Sequence, residues 1–153
     1  MDFLQKLTED LTGAMKARDE LVLSVLRMMK SAVKNAEIAK RGDSKGLTDE
    51  DIVGVLSTMV KQRRESAEQY EKAGRKDLAD KETSEVGIIQ RYLPQQLDPE
   101  ELDAVITESI RESGVTGPKE MGKLMKVLMP KVKGKAEGKV VNERVKALLE
   151  QMG

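Results

Sequence analysis

The chain contains no cysteine and no histidine. Without cysteine there is no disulfide, no thiolate zinc or iron–sulfur site and no thiol nucleophile. Without histidine the commonest general base and the commonest neutral metal ligand are missing. A Ser-Lys pair, paired carboxylates or a carboxylate-held Mg²⁺ are the chemistries left, and the sequence clusters none of them. No catalytic residue, no cofactor and no metal site is therefore expected. Aromatic residues are nearly absent too: Phe3, Tyr70 and Tyr92 make up 2% of the chain. Modules that read unpaired bases stack them on aromatic platforms, so that mode of recognition is not available. The N-terminal MDFLQKLTED has no uninterrupted apolar core, which argues against a signal peptide. No apolar run approaches the roughly 18–20 residues of a membrane span. A cytoplasmic protein with no membrane association is expected.

What is present favours helix. Of 153 residues, 35% are charged, with 27 basic and 27 acidic side chains, and Ala, Leu, Met, Lys and Glu are all common. Apolar residues recur at 3–4 spacing from Leu4 through Leu7, Leu11 and Met15, predicting a first helix over about Phe3–Met15. Asp19 is a candidate N-cap for a second helix, running from Glu20 to about Arg41. Gly42 to Gly46 reads as a turn. Thr48 and Asp51 have capping-box spacing and open a third helix. Its stripe runs through Ile52, Leu56, Met59, Val60, Arg63, Ala67 and Tyr70, and Gly74 is placed to end it. A fourth helix over about Lys76–Tyr92 has a polar middle. Pro94 stops it, and Leu93–Leu97 is the clearest boundary. Asp98, Pro99 and Glu101 then form a second helix start, with the helix ending at Gly114. Further helices are predicted from Pro118 to Met129–Pro130 and from about Lys139, separated by a mobile basic link over Lys131–Gly138. No segment alternates as a strand would. The prediction is an all-α fold: a bundle of about four helices over residues 1–93 and a compact three-helix domain over residues 98–153.

Charge is balanced in total but not along the chain. Asp98–Glu112 holds six acidic residues and one basic one, whereas Gly117–Ala147 holds nine basic and three acidic residues, a net charge of +6. Such a field attracts polyanions, and lysines meet phosphates without reading sequence. Lys119, Lys123, Lys126, Lys131, Lys133, Lys135 and Lys139 are the candidate nucleic-acid contacts. Lys119, Lys123 and Lys126 share a helix face. The plainer reading of such a segment is a solvated charged surface.

Other motifs carry less. Gly117 to Lys123 fits G-x-x-x-x-G-K, but Leu124 replaces the Mg²⁺-binding hydroxyl, no strand precedes it and Pro118 removes a backbone donor. The acidic run Asp49–Asp51 fits the first turn of a helix better than a metal site. Arg63 and Arg64 are about 100° apart on their helix. Surface pairing with Glu68 or Glu71 is the favoured expectation there, and phosphate contact the lesser one. The nine methionines mostly fall on apolar stripes and read as core.

One long run is distinctive. Leu93-Pro94-x-x-Leu97 is followed by MGKLMKVLMPKVKGKAEG over residues 121–138, then by Val141-Asn142-x-x-Val145-Lys146. Upstream stand Leu23–Met28, Arg63-Arg64-x-Ser66 and Tyr70 through Leu78. Together these resemble the YqeY-like proteins across essentially the whole chain. That family shares the tail region of the B subunit of glutamine-dependent aminoacyl-tRNA amidotransferase. Glu137 stands where the family more usually has Asp, a conservative departure. The resemblance implies an N-terminal helical bundle and a compact C-terminal three-helix domain. It also implies a non-catalytic tRNA or structured-RNA binding module, an accessory to tRNA-dependent amidation. The carbon–nitrogen ligase label belongs to the larger relatives, since this chain shows no cradle, glutaminase or ATP site. The alternative is a protein-interaction module that docks on an amidotransferase, a synthetase or the ribosome.

Overall fold

The computed structural model describes residues 2–40 and 46–152. Among them are seven α-helices, one 3₁₀ turn and no strand: α1 (Phe3–Ala17), α2 (Glu20–Ala39), α3 (Asp49–Lys72), α4 (Lys76–Gln90), α5 (Pro99–Ser113), α6 (Met121–Val132) and α7 (Gly138–Met152), with the 3₁₀ turn at Pro118–Glu120. The all-α expectation is met. The turn expected at Gly42–Gly46 lies, except for Gly46, outside the described residues.

Local chemistry accounts for most helix ends. Asp2, Asp19, Thr48 and Asp98 each accept a hydrogen bond from an amide in the first turn that follows. Both expected boxes close reciprocally: Thr48 with Asp51, and Asp98 with Glu101. Helix α3 ends in a full Schellman motif. Gly74, at φ +74°, donates its N–H to the Glu71 carbonyl, and Arg75 donates to Tyr70. An L side chain is strained in that region, which is why glycine stands there.

Contacts divide the chain into two units, Met1–Leu93 and Pro94–Gly153. In the first, α1, α3 and α4 pack with α2, and α3 and α4 form the most extensive pair. Leu7, Val25, Leu26, Met29, Leu56, Val60, Val86 and Ile89 are its buried centre. Phe3 meets Tyr92 edge-on, Lys6 lies over the Tyr92 ring, and the Tyr92 hydroxyl donates to Asp10. Burial, then the neighbouring Asp10 carboxylate, pushes the Tyr92 phenol above its ordinary range.

Most of the polar middle of α4 faces solvent, and Glu85 alone in it is buried, for a tertiary cause. Glu85 is buried because it meets Arg63 of α3, with Nε and Oε2 3.0 Å apart. Arg63 also donates to the Met59 carbonyl and reaches the Met28 sulfur. The expected surface pairing of Arg63 with Glu68 or Glu71 is thus corrected. Arg63 stays in register with the apolar stripe and turns inward, where a carboxylate compensates its charge.

The second unit packs α5, α6 and α7 around Leu102, Ile106, Leu124, Leu128, Val132, Val141, Val145 and Leu149. Ser109 is fully buried among them and returns its hydroxyl to the Val105 carbonyl. Two helix limits differ from expectation. Pro118 opens a 3₁₀ turn, and the α-helix starts only at Met121. Helix α6 also runs through Pro130 to Val132. Proline in a last turn costs one hydrogen bond, and Val132 is fully buried in return.

Candidate nucleic-acid interface

Helix α6 buries Leu124, Leu128 and Val132 and turns Gly122, Lys123, Lys126, Met129 and Pro130 outward, and Lys133, just past its end, is exposed as well. This placement follows from the sequence: with apolar residues four apart, the lysines fall on the opposite side. Lys123 and Lys126 are one turn apart, and Lys133 lies about 15 Å beyond Lys123 along the axis. Lys119 is exposed in the 3₁₀ turn preceding α6. Among the described residues, the side chains of Lys119, Lys123, Lys126, Lys133 and Lys135 have no ion-pair or hydrogen-bond partner.

Lys131 differs from its neighbours. Its ammonium meets Glu112 of α5 at 2.8 Å, at the flank of α6 between the buried face and the exposed stripe. Arg144, counted among the nine basic residues, is also engaged. It makes a two-pronged contact with Asp103 of α5, at 2.9 and 2.8 Å, which holds the Asp103 carboxyl below its ordinary range. The acidic segment and the basic segment are thus partly tied to each other. Lys139 is exposed in the first turn of α7 and also has an interaction partner.

The expected mobile link is a hydrogen-bonded turn. Lys133 donates its N–H to Met129, while Lys135 and Ala136 donate to Val132. Gly134, at φ +76° and buried, lends its carbonyl to the Gln96 amide at 2.7 Å. The Leu97 N–H donates to the Lys135 carbonyl at 2.8 Å. The backbone between Lys133 and Lys135 is therefore anchored to residues 96–97, while both side chains stand in solvent. Sequence reasoning missed Gln96 and Leu97 as supports, and only the glycine between two lysines hinted at a turn there. Among the described residues no three carboxylates come together as a metal site, and no helix is long and apolar enough to cross a membrane.

The family model for Yqey-like protein matches residues 4–149. The chain belongs to the YqeY-like family. Curated relatives carry the name "Altered inheritance of mitochondria protein 41, mitochondrial". The protein of that name from Lachancea thermotolerans is 33% identical over 77% of this chain and 63% of its own length. That from Vanderwaltozyma polyspora is 35% identical over 69% of this chain and 57% of its own. That from Saccharomyces cerevisiae strain YJM789 is 37% identical over 63% and 51%. This YqeY-like chain spans about half to two thirds of the length of these relatives.

Proposed function

We propose that this YqeY-like chain is a non-catalytic module that binds structured RNA, tRNA in the first place, and serves as an accessory to tRNA-dependent amidation in the cytoplasm. The carrying observation is the lysines on the outer side of α6 that have no partner among the described residues, continued by Lys133 and Lys135 on an anchored turn. Lysines held at fixed spacing outside a packed core can meet successive phosphates, and each contact releases counterions. The scarcity of aromatic side chains favours recognition of duplex shape and backbone over base stacking. In this reading residues 1–93 and 98–153 act as separate domains, with Lys119, Lys123, Lys126, Lys133 and Lys135 as direct contacts. Lys131 contributes by fastening α6 to α5, and Lys139 lies at the edge.

A second reading rests on Met129 and Val140, two apolar side chains of this unit about 40% exposed. Through them the module would dock on an amidotransferase, a synthetase or the ribosome. A titration with tRNA at roughly 50 and 200 mM salt, with duplex DNA of equal length as control, separates the two. Preference for tRNA and a steep salt dependence support the RNA module. No binding at the lower salt removes it, and capture of a protein partner after nuclease treatment would then support docking.

A further inference from the structure

Helix α2 carries an open trough of about 680 Å³, lined by Glu20, Leu23, Ser24, Arg27, Met28, Ser31, Ala32 and Asn35. Every one of these residues belongs to α2 itself. The composition of the trough is unlike that of a helix face awaiting an apolar partner. Two hydroxyls, an amide, a guanidinium and the Glu20 carboxylate accompany only three apolar side chains. Lys30 and Lys34, which lie outside the trough's lining, follow Arg27 at i+3 and i+7, so the three cations share one side of the helix. All three are exposed, and among the described residues none has an ion-pair or hydrogen-bond partner. The acidic groups on α2 are Glu20 and Glu37, at its two ends, and neither pairs with them.

We propose that this trough is a second contact for the RNA backbone, made by the N-terminal unit independently of the α6 lysines. It rests on the RNA-binding reading above and names a further site for it. Phosphate and ribose oxygens accept hydrogen bonds from arginine, lysine, serine and asparagine; the trough presents Arg27, Ser24, Ser31 and Asn35, with the Glu20 carboxylate confined to its N-terminal end, and Lys30 and Lys34 stand beside it. Arg27 to Lys34 spans about 10.5 Å of helix, on the order of three phosphates of one strand at about 3.4 Å of duplex axis each. A second copy of the chain is a poorer occupant. The trough's midpoint falls between Arg27 and Met28, so an antiparallel copy of α2 would set Arg27 against Met28 of the other copy and bring the two guanidiniums within one residue of each other along the axis.

The test uses the full chain in two forms, R27Q/K30Q/K34Q and K123Q/K126Q/K133Q, each titrated with tRNA at roughly 50 and 200 mM salt. The trough variant is expected to bind about tenfold or more weakly at the lower salt. Its salt slope should be shallower by about 2–3, with the melting temperature unchanged. Wild-type affinity in the trough variant, with loss only in the α6 variant, overturns the trough and leaves the RNA reading standing. Absence of tRNA binding by the wild type overturns both. Wild-type affinity together with a changed sedimentation coefficient assigns the trough to a second copy and overturns the RNA contact. Should the triple variant unfold, Ser31→Glu places one negative charge on the exposed helix surface and is expected to weaken tRNA binding several-fold. Unchanged binding there counts against the trough.

Discussion

Single residues show where the fold carries strain and where it carries charge. Arg18 closes α1 in the left-handed conformation, at φ +55°, and its N–H donates to the Met15 carbonyl. An L residue there costs about 1–2 kcal/mol that glycine avoids. Arg18→Gly is therefore expected to raise stability by about 0.5–1 kcal/mol in denaturant unfolding, once the greater chain entropy of glycine is counted. Arg63 and Glu85 present the opposite case. Their side chains are 12% and 10% exposed, so removing one partner strands the other away from water. Glu85→Ala should cost about 3 kcal/mol, while the double change R63M/E85L should recover most of it. A double variant as unstable as the single would show that the pair does more than cancel charge. Arg63 follows the apolar stripe in sequence, but its partner lies 22 residues away, and no local pattern announces it.

At the scale of elements, caps and turns decide where helices begin and end. Thr48→Ala should cost about 1 kcal/mol, read from the unfolding midpoint, because it strips one hydrogen-bond acceptor from the start of α3. Asp51 adds a pH dependence to the same turn. Its carboxylate accepts from Lys40 at 2.7 Å and from the Thr48 N–H at 2.9 Å. Led by Lys40, these contacts lower its pKa from 3.8 to about 2. A carboxyl depressed in the folded state stabilises above its ordinary pKa, and that contribution is lost as pH falls through the folded value. The α3 N-terminus should therefore loosen between about pH 4 and 2, followed through the Thr48 amide resonance. Asp51→Asn should show no change in that window. The capping box itself lies within four residues, so the amino-acid sequence alone announces it, whereas Lys40, the leading cause of the shift, stands 11 residues from Asp51. The turn between α6 and α7 has no such local signature. Its supports, Gln96 and Leu97, stand 38 residues from Gly134 and Lys135.

For the whole molecule, each unit holds its own buried cluster. Pro94, Gln96 and Leu97 belong with the second: the Gln96 amide donates to both the Pro94 and Gly134 carbonyls. A fragment of residues 94–153 is therefore expected to show helical circular dichroism and a cooperative melt, since domains of about 55–65 residues can fold alone. Leu128→Ala should lower that melt, at a cost of about 3 kcal/mol, because Leu128 lies fully buried at the centre of the second cluster. A non-cooperative melt of the C-terminal fragment would mean that its core needs the rest of the chain.

The amino-acid sequence by itself determined the helical class, the starts of α2, α3 and α5, the ends of α3 and α5, and the outward direction of Lys123 and Lys126. Each of these depends on groups within a turn or two of one another, where 3.6-residue geometry leaves little choice. Only the tertiary structure decided which charges stay available. Arg63 is engaged by Glu85, Lys131 by Glu112 and Arg144 by Asp103, whereas Lys123, Lys126 and Lys133 remain in solvent. Ion-pair choice depends on which helix faces are packed together, and that packing minimises exposed apolar area over the whole unit rather than along any one stretch of chain.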